Sequence, residues 1–184
     1  MLVKAGVWEG DMVLVTGASG GVGSALLQLA KRRGATMVGM AGRAKQDALA
    51  RCGADALIER AADDLAVALR GAIGREEVTV VADVVGGPGF PDLLERLARG
   101  GRYVTSGAIA GPLVGLDLGT LCLNDLSMLG SMVIPLHVFP DLVSHIERGE
   151  VRPMLARTWP LEKLREAQIA FTENAHVGSM VVIP

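Results

Sequence analysis

Small residues near the start of the chain have the spacing of a loop that binds diphosphate groups. Gly17, Gly20 and Gly23 recur at every third position, between an apolar run and a helical pattern. The first glycine permits a tight turn, the second lets the backbone approach a pyrophosphate, and the third lets the helix pack close to the strand. Backbone amides that open the helix would bind the phosphates. We therefore predict a dinucleotide site, with an ordinary tight glycine turn as the alternative.

The same segment supplies the candidate phosphate contacts. Hydroxyl groups at two positions could add hydrogen bonds to those of the backbone, and the helix begins directly after the loop. The predicted contacts are Thr16, Ser19, Gly20, Gly21 and Val22.

The end of the second predicted strand indicates which dinucleotide binds. An NAD site usually carries an acidic residue about 20 residues past the loop, where it binds the ribose 2′-hydroxyl. The chain has no acidic residue between Asp11 and Asp47, and it carries Arg43 and Lys45 instead. A guanidinium fork suits a 2′-phosphate well. We predict NADP(H) as the cofactor, and two solvated basic residues at a helix start as the alternative.

Short apolar runs alternate with helical patterns over most of the chain, and the strands and helices they predict must hold the glycine loop in place. Such alternation predicts an α/β fold, a Rossmann-type doubly wound, mostly parallel six-stranded sheet with helices on both faces. The predicted strands are 12–16, 36–40, 56–58, 78–82, 102–105 and 127–134, and the predicted helices are 24–33, 44–52, 63–69, 91–99 and 140–148.

The rhythm changes after Gly149. An extended stretch at 151–159, an amphipathic stretch at 161–171 and a closing strand at 177–183 do not continue the alternation. We therefore expect a nucleotide-binding domain at 1–149 and a separate tail at 150–184.

Composition excludes several function classes. The formal net charge is −2 with both signs mixed, and aromatic residues make up 3%, so we expect no nucleic-acid surface. No apolar run reaches the roughly 18 residues that a membrane span needs, so we expect no membrane partner. Cys52 and Cys122 are far apart, which favours a reducing compartment, and we expect a cytoplasmic protein.

No residue of the chain has the setting of a catalytic or metal-binding group. Residues 16–23 also fit the T-G-x-x-x-G-x-G pattern of short-chain dehydrogenases, but that family needs a tyrosine with a lysine four residues later. The only tyrosine, Tyr103, is followed at that distance by Gly107. The three histidines show no tight ligand spacing, so we predict no metal ligand and no catalytic residue here.

Six segments, in order along nearly the whole chain, match the sequence motifs of one family. They are VLVTGASGGVGSALLQLAKRRGA at 13–35, CGAD at 52–55, DVVGG at 83–87, GGRYVTSG at 100–107, NDLSMLGS at 124–131 and HVGSMVVIP at 176–184. With them the chain resembles the medium-chain dehydrogenase/reductase superfamily, in its zinc-free quinone-oxidoreductase-like branch. The resemblance implies nicotinamide contacts at Val84, Val85, Ser106 and Gly107. One departure is Ser179, where the family commonly carries lysine.

The resemblance also implies a larger enzyme. Family members place a GroES-like substrate domain before the nucleotide domain, so we expect this chain to be the second half of an oxidoreductase of the alcohol dehydrogenase superfamily. It would transfer hydride between NADPH and an activated carbonyl, such as a quinone or enone, and would be inactive alone because the small-molecule substrate needs the absent domain. The family also implies a homodimer through the edge strand near 126–134. Half of a zinc-dependent alcohol dehydrogenase and a non-catalytic NADP-sensing module are the alternatives.

Overall fold

Six strands form one sheet in the computed structural model, which describes residues 1–184. They are β1 Met12–Val15, β2 Thr36–Ala41, β3 Ala56–Glu59, β4 Val78–Asp83, β5 Leu97–Thr105 and β6 Ser127–Gly130. Their spatial order is β3-β2-β1-β4-β5-β6, and every neighbouring pair is parallel. The predicted Rossmann-type sheet is therefore confirmed. The strand order reverses between β1 and β4, where such sheets bind ligands beyond their carboxyl ends.

Helices cover both faces of this sheet. On one face lie α1 Gly21–Lys31 and α2 Gln46–Ala50, and on the other α3 Leu65–Ile73 and α4 Phe90–Glu95. Two further helices, α5 Leu118–Leu123 and α6 Val138–Glu147, have no buried residue. The longest, α1, has 11 residues, and none has the length and apolar character of a membrane-crossing helix.

Alternate residues of the strands feed two separate cores. Val13 and Val15 pack with Leu27 of α1 in one cluster, whereas Leu14 packs with Phe90 of α4 in the other. Each fully buried side chain of this size stabilises the fold by roughly 1.5–3 kcal/mol. The two cores fix β1 between two helical layers, and they thereby fix the loop that joins β1 to α1.

Two predicted elements end four residues before their expected bounds. The helix predicted at 91–99 ends at Glu95, because Leu97 is buried and pairs with Val78 at the start of β5. The strand predicted at 127–134 ends at Gly130, because its partner β5 ends at Thr105 and offers no further residue to pair. In both cases pairing with a distant strand decides the boundary.

The tail forms a second, smaller unit. It consists of β7 Leu155–Pro160, α7 Leu164–Thr172 and β8 Ser179–Ile183, and the two strands pair in parallel in a sheet of their own. Glu150 anchors the start of this tail, because its carboxylate binds Arg32 just after α1, His145 in α6 and Arg148 just after α6. Hydrogen bonds from Arg148 and then His145 lower the pKa of Glu150 to about 2.

Candidate nucleotide-binding site

The loop between β1 and α1 has the conformation that its glycines predict. Gly17 has a φ of +57°, in the left-handed region, and a Cβ there would lie 2.8 Å from Cγ2 of Val84. A Cβ on Gly23 would lie 2.3 Å from the Gly17 carbonyl oxygen and 2.6 Å from Cα of Ala18. The predicted tight turn at Gly17 is therefore confirmed, and the missing side chain at Gly23 lets the start of α1 lie close to the backbone that directly follows β1.

The start of α1 presents backbone amides without protein partners. No side chain caps the helix at Gly20, its first turn carries no acidic residue, and the amides of Gly21, Val22 and Gly23 find no acceptor in the chain. Gly20, Gly21 and Val22 are exposed. A Cβ on Gly20 would make only an ordinary contact, 3.4 Å from the Gly17 carbonyl oxygen, so the loop is not tightly packed there. Free amides and an open approach at the positive end of a helix dipole fit a pyrophosphate.

A second group of predicted residues lies against this loop. Val84 and Val85 follow β4, and their methyl groups pack where a Gly17 side chain would be. Ser106 and Gly107 follow β5 and are exposed, and a Cβ on Gly107 would lie 3.0 Å from the Val84 carbonyl oxygen. The Ser106 hydroxyl contacts the sulfur of Met1 at 3.0 Å. The parallel sheet thus brings both turns to its carboxyl edge, beside the glycine loop.

Asp83, which sequence reasoning left without a role, joins these two groups. It is the last residue of β4 and is fully buried. Its carboxylate accepts hydrogen bonds from the hydroxyls of Thr16 and Tyr103 and from the amides of Val85 and Gly86. Burial, and after it the hydrogen bond to Asp83, raises the pKa of Tyr103. The DVVGG phrase contains Asp83, but nothing local in that phrase reveals partners as distant as Thr16.

Basic residues lie at the end of β2, as the sequence predicted. Arg43 has a side chain that is 91% exposed, and its Nε lies 3.6 Å from Oε2 of Glu59. The Arg43 amide also donates to Oε1 of Glu59 at 3.1 Å. Lys45 donates from Nζ to Oδ1 of Asn174 at 3.0 Å. The sequence did not reveal Glu59, the acidic neighbour of this site, because Glu59 is the last residue of β3 and not part of the segment after β2.

A third cation lies in the same region. Partial burial lowers the pKa of Lys45, and the charge of Arg60 lowers it further. The Arg60 amide donates to the Ala41 carbonyl at 3.2 Å, which holds its backbone beside the last residue of β2. The spacing in the sequence does not reveal Arg60, because it reaches this place by the pairing of β3 with β2.

The tail touches the glycine loop at two points. The Gly178 amide donates to the Ser19 carbonyl at 2.8 Å. Oγ of Ser179 lies 2.9 Å from the place that a Cβ on Gly21 would take. Ser179 is therefore adjacent to the helix start and places a short hydroxyl there.

No three His, Cys, Asp or Glu side chains come together in a set that could hold a metal ion. The residues of this chain therefore do not fit a zinc site of their own.

Comparisons with known proteins agree with this geometry. The sequence model of a family described as zinc-binding dehydrogenase matches residues 21–148. The acryloyl-coenzyme A reductase of Sulfurisphaera tokodaii is 32% identical over 185 residues, which cover 97% of this chain and 52% of that protein. The NAD-dependent alcohol dehydrogenase of the same organism is 30% identical over 188 residues, which cover 98% of this chain and 53% of that protein. The chain thus spans about half the length of the curated relatives it matches.

Two solved structures share the fold closely. A candidate alcohol dehydrogenase from Sinorhizobium meliloti is 47% identical, with a TM-score of 0.96 over all of this chain and 51% of that one. The 2-octenoyl-CoA carboxylase reductase CinF, in complex with NADP and 2-octenoyl-CoA, is 28% identical, with a TM-score of 0.88 over 97% of this chain and 44% of that one.

Proposed function

This chain belongs to the zinc-binding dehydrogenase family within the medium-chain dehydrogenases and reductases, and on that footing we propose that it binds NADP(H) for an oxidoreductase. The observation that carries the proposal is the uncapped start of α1, where the amides of Gly21, Val22 and Gly23 have no protein acceptor. These donors would bind the diphosphate, and the exposed glycines before them leave room for it.

The remaining site residues would orient the two ends of the cofactor. Val84, Val85, Ser106 and Gly107 would contact the nicotinamide, because their turns lie beside the glycine loop at the sheet edge. When bound, the cofactor supplies or accepts the hydride. The substrate would be an activated carbonyl compound such as a quinone or an enone. A relative named acryloyl-coenzyme A reductase supports an unsaturated carbonyl of this kind.

The charges at the end of β2 favour NADP(H) over NAD(H). Arg43, Lys45 and Arg60 place three cations there, and Glu59 is the acid that pairs with Arg43. A 2′-phosphate would bring two negative charges to this region, and its charge-assisted hydrogen bonds are stronger than those of a hydroxyl. A neighbour solved with NADP supports this choice, whereas a relative named as NAD-dependent shows that the family also uses NAD.

Titration calorimetry with NADPH and NADH side by side tests the proposal. We expect NADPH to bind at least about tenfold more tightly, since one hydrogen bond to a charged group contributes roughly 1.5–3 kcal/mol. Equal affinity, or a preference for NADH, would overturn the role given to Arg43 and Lys45. Absence of binding by both would overturn the nucleotide site itself.

The tail supports a second domain in the full protein. β7 and β8 form a parallel pair whose side chains are mostly exposed, whereas parallel sheets are normally covered on both faces. A two-stranded sheet is also marginal by itself. We propose that residues 1–149 are the nucleotide domain and that 150–184 pack on a GroES-like substrate domain. Substrate turnover would require that domain, and half of a zinc-dependent alcohol dehydrogenase remains the alternative because zinc ligands would lie there.

The outer edge of β6 would form a homodimer. This strand is the last one of the sheet, so one of its edges has no neighbouring strand. The chain that follows it carries four apolar side chains that are between 64% and 96% exposed, namely Met132, Val133, Ile134 and Leu136. An apolar strand edge of this kind is a hazard unless it is paired.

Light scattering at micromolar concentration should give twice the mass of one chain. The double variant Met132→Lys/Ile134→Lys should give the mass of one chain, because two buried charges would oppose pairing. A wild-type chain that is monomeric would contradict the dimer.

A further inference from the structure

A fully buried carboxylate ties together three separate parts of the candidate site. Asp83 closes β4, and its two oxygens accept from Thr16 on the glycine loop, from Tyr103 in β5 and from two amides of the turn after β4. The Val85 amide donates to Oδ1 of Asp83 at 2.8 Å, and the Gly86 amide donates to Oδ2 at 3.0 Å. Asp83 has no exposed surface, so solvation by water does not account for a carboxylate at this position.

Its partners are themselves held in place. The ring of Tyr103 packs edge-on against Phe90 at 5.1 Å between centroids, so the hydroxyl has little freedom to move. Thr16 accepts from the Val84 amide at 3.1 Å while it donates to Asp83. The Ser106 amide donates to the backbone carbonyl of Asp83 at 3.2 Å, which links the turn after β5 to the same residue.

The turn that Asp83 holds depends on a glycine. Gly86 has φ of 62° and ψ of −150°, a combination that is essentially limited to glycine. Because glycine can adopt many conformations, contacts from outside the turn must select this one. The Asp83 carboxylate supplies two of those contacts, to the amides of Val85 and Gly86.

We infer that Asp83 is a positioning residue, which sets the turn of Val84, Val85 and Gly86 against the glycine loop for recognition of the nicotinamide. This inference rests on the proposed function. The phosphate-binding amides of Gly21, Val22 and Gly23 belong to α1, five or more residues past Thr16, and none of them bonds to the Asp83 carboxylate. Loss of the Asp83 carboxylate should therefore weaken the binding of the nicotinamide half of the cofactor and leave the binding of the phosphate half largely unchanged.

The test compares two ligands that differ only in the nicotinamide, namely NADPH and 2′-phospho-ADP-ribose. For Asp83→Asn we expect NADPH affinity to fall roughly three- to tenfold, about the effect of one lost buried hydrogen bond. The affinity for 2′-phospho-ADP-ribose should change less than about twofold. Fluorescence of the bound nicotinamide should also move toward that of free NADPH.

Two further variants keep the test decisive. Tyr103→Phe removes one donor to Asp83 and should give a smaller change in the same direction, even if Asp83→Asn folds poorly. Asp11→Asn is the matched control, because Asp11 is also a buried carboxylate but lies before β1, bound to Thr79 and Arg102 at the opposite edge. It should lower stability and leave the ratio of the two affinities unchanged.

Each outcome decides the matter. A wild-type chain that binds neither ligand overturns the proposed function and this inference together. A wild-type chain that binds both, with Asp83→Asn and Tyr103→Phe weakening both ligands equally or neither, overturns the positioning role and leaves the proposed function standing.

Discussion

Replacement of Gly23 by alanine is expected to unfold or severely destabilise the chain and to abolish dinucleotide binding. The added Cβ would overlap the Gly17 carbonyl and the Ala18 backbone, at 2.3 Å and 2.6 Å. Both are backbone atoms of a loop fixed between two cores, so neither can move aside as a flexible side chain would. Overpacking of this kind costs about 1–3 kcal/mol and occasionally more. Denaturant unfolding of Gly23→Ala and wild type measures the loss.

Gly20→Ala is the matched control for that variant. Gly20 has φ of −79°, and an added Cβ would meet only an ordinary contact at 3.4 Å. Its stability should stay within about 0.5 kcal/mol of wild type, as is usual for an exposed substitution. Its affinity for NADPH should nevertheless fall, because the methyl group would occupy the approach to the phosphates. Gly23→Ala with wild-type stability would show that the helix and the loop are not packed as described.

The double variant Arg43→Ala/Lys45→Ala is expected to remove the preference for NADPH. Two cations at the end of β2 would no longer bind the 2′-phosphate, while the amides of α1 would still bind the diphosphate. NADPH affinity should fall roughly 10- to 100-fold, at about 1.5–3 kcal/mol for a lost bond to a charged group. NADH affinity should stay within about twofold. Calorimetry with both cofactors measures the change.

A control with the same charge change separates local contact from general electrostatics. Arg75 and Arg99 lie before β4 and early in β5, near the opposite edge of the sheet. Arg75→Ala/Arg99→Ala should leave the ratio of NADPH to NADH affinity unchanged. A similar drop for both double variants would mean that long-range charge, and not the end of β2, selects the cofactor.

The parts of the site that depend on neighbouring residues could be predicted from the sequence. The spacing of Gly17 and Gly23 predicted a tight turn and a close approach, and both are local consequences of a missing Cβ. The sequence also located Arg43 and Lys45 just after β2, because the apolar run that forms this strand stops directly before them.

The parts that depend on tertiary contacts could not be predicted. Asp83 reads as an ordinary strand end, because Thr16 is 67 residues and Tyr103 20 residues away in the chain. Glu59 reaches Arg43 across 16 residues. The end of the helix at Glu95 was hidden for the same reason, since Pro91 and Gly100 are local signals and the pairing of Leu97 with Val78 is not.

Amide chemical shifts of the labelled chain, followed by two-dimensional NMR during a titration with NADPH, test the central claim most directly. We expect the largest shifts at Gly21, Val22 and Gly23, whose donors have no protein acceptor, and smaller ones at Val84 and Val85. Shifts confined to another surface, or saturating NADPH that leaves those three amides unmoved, would contradict it.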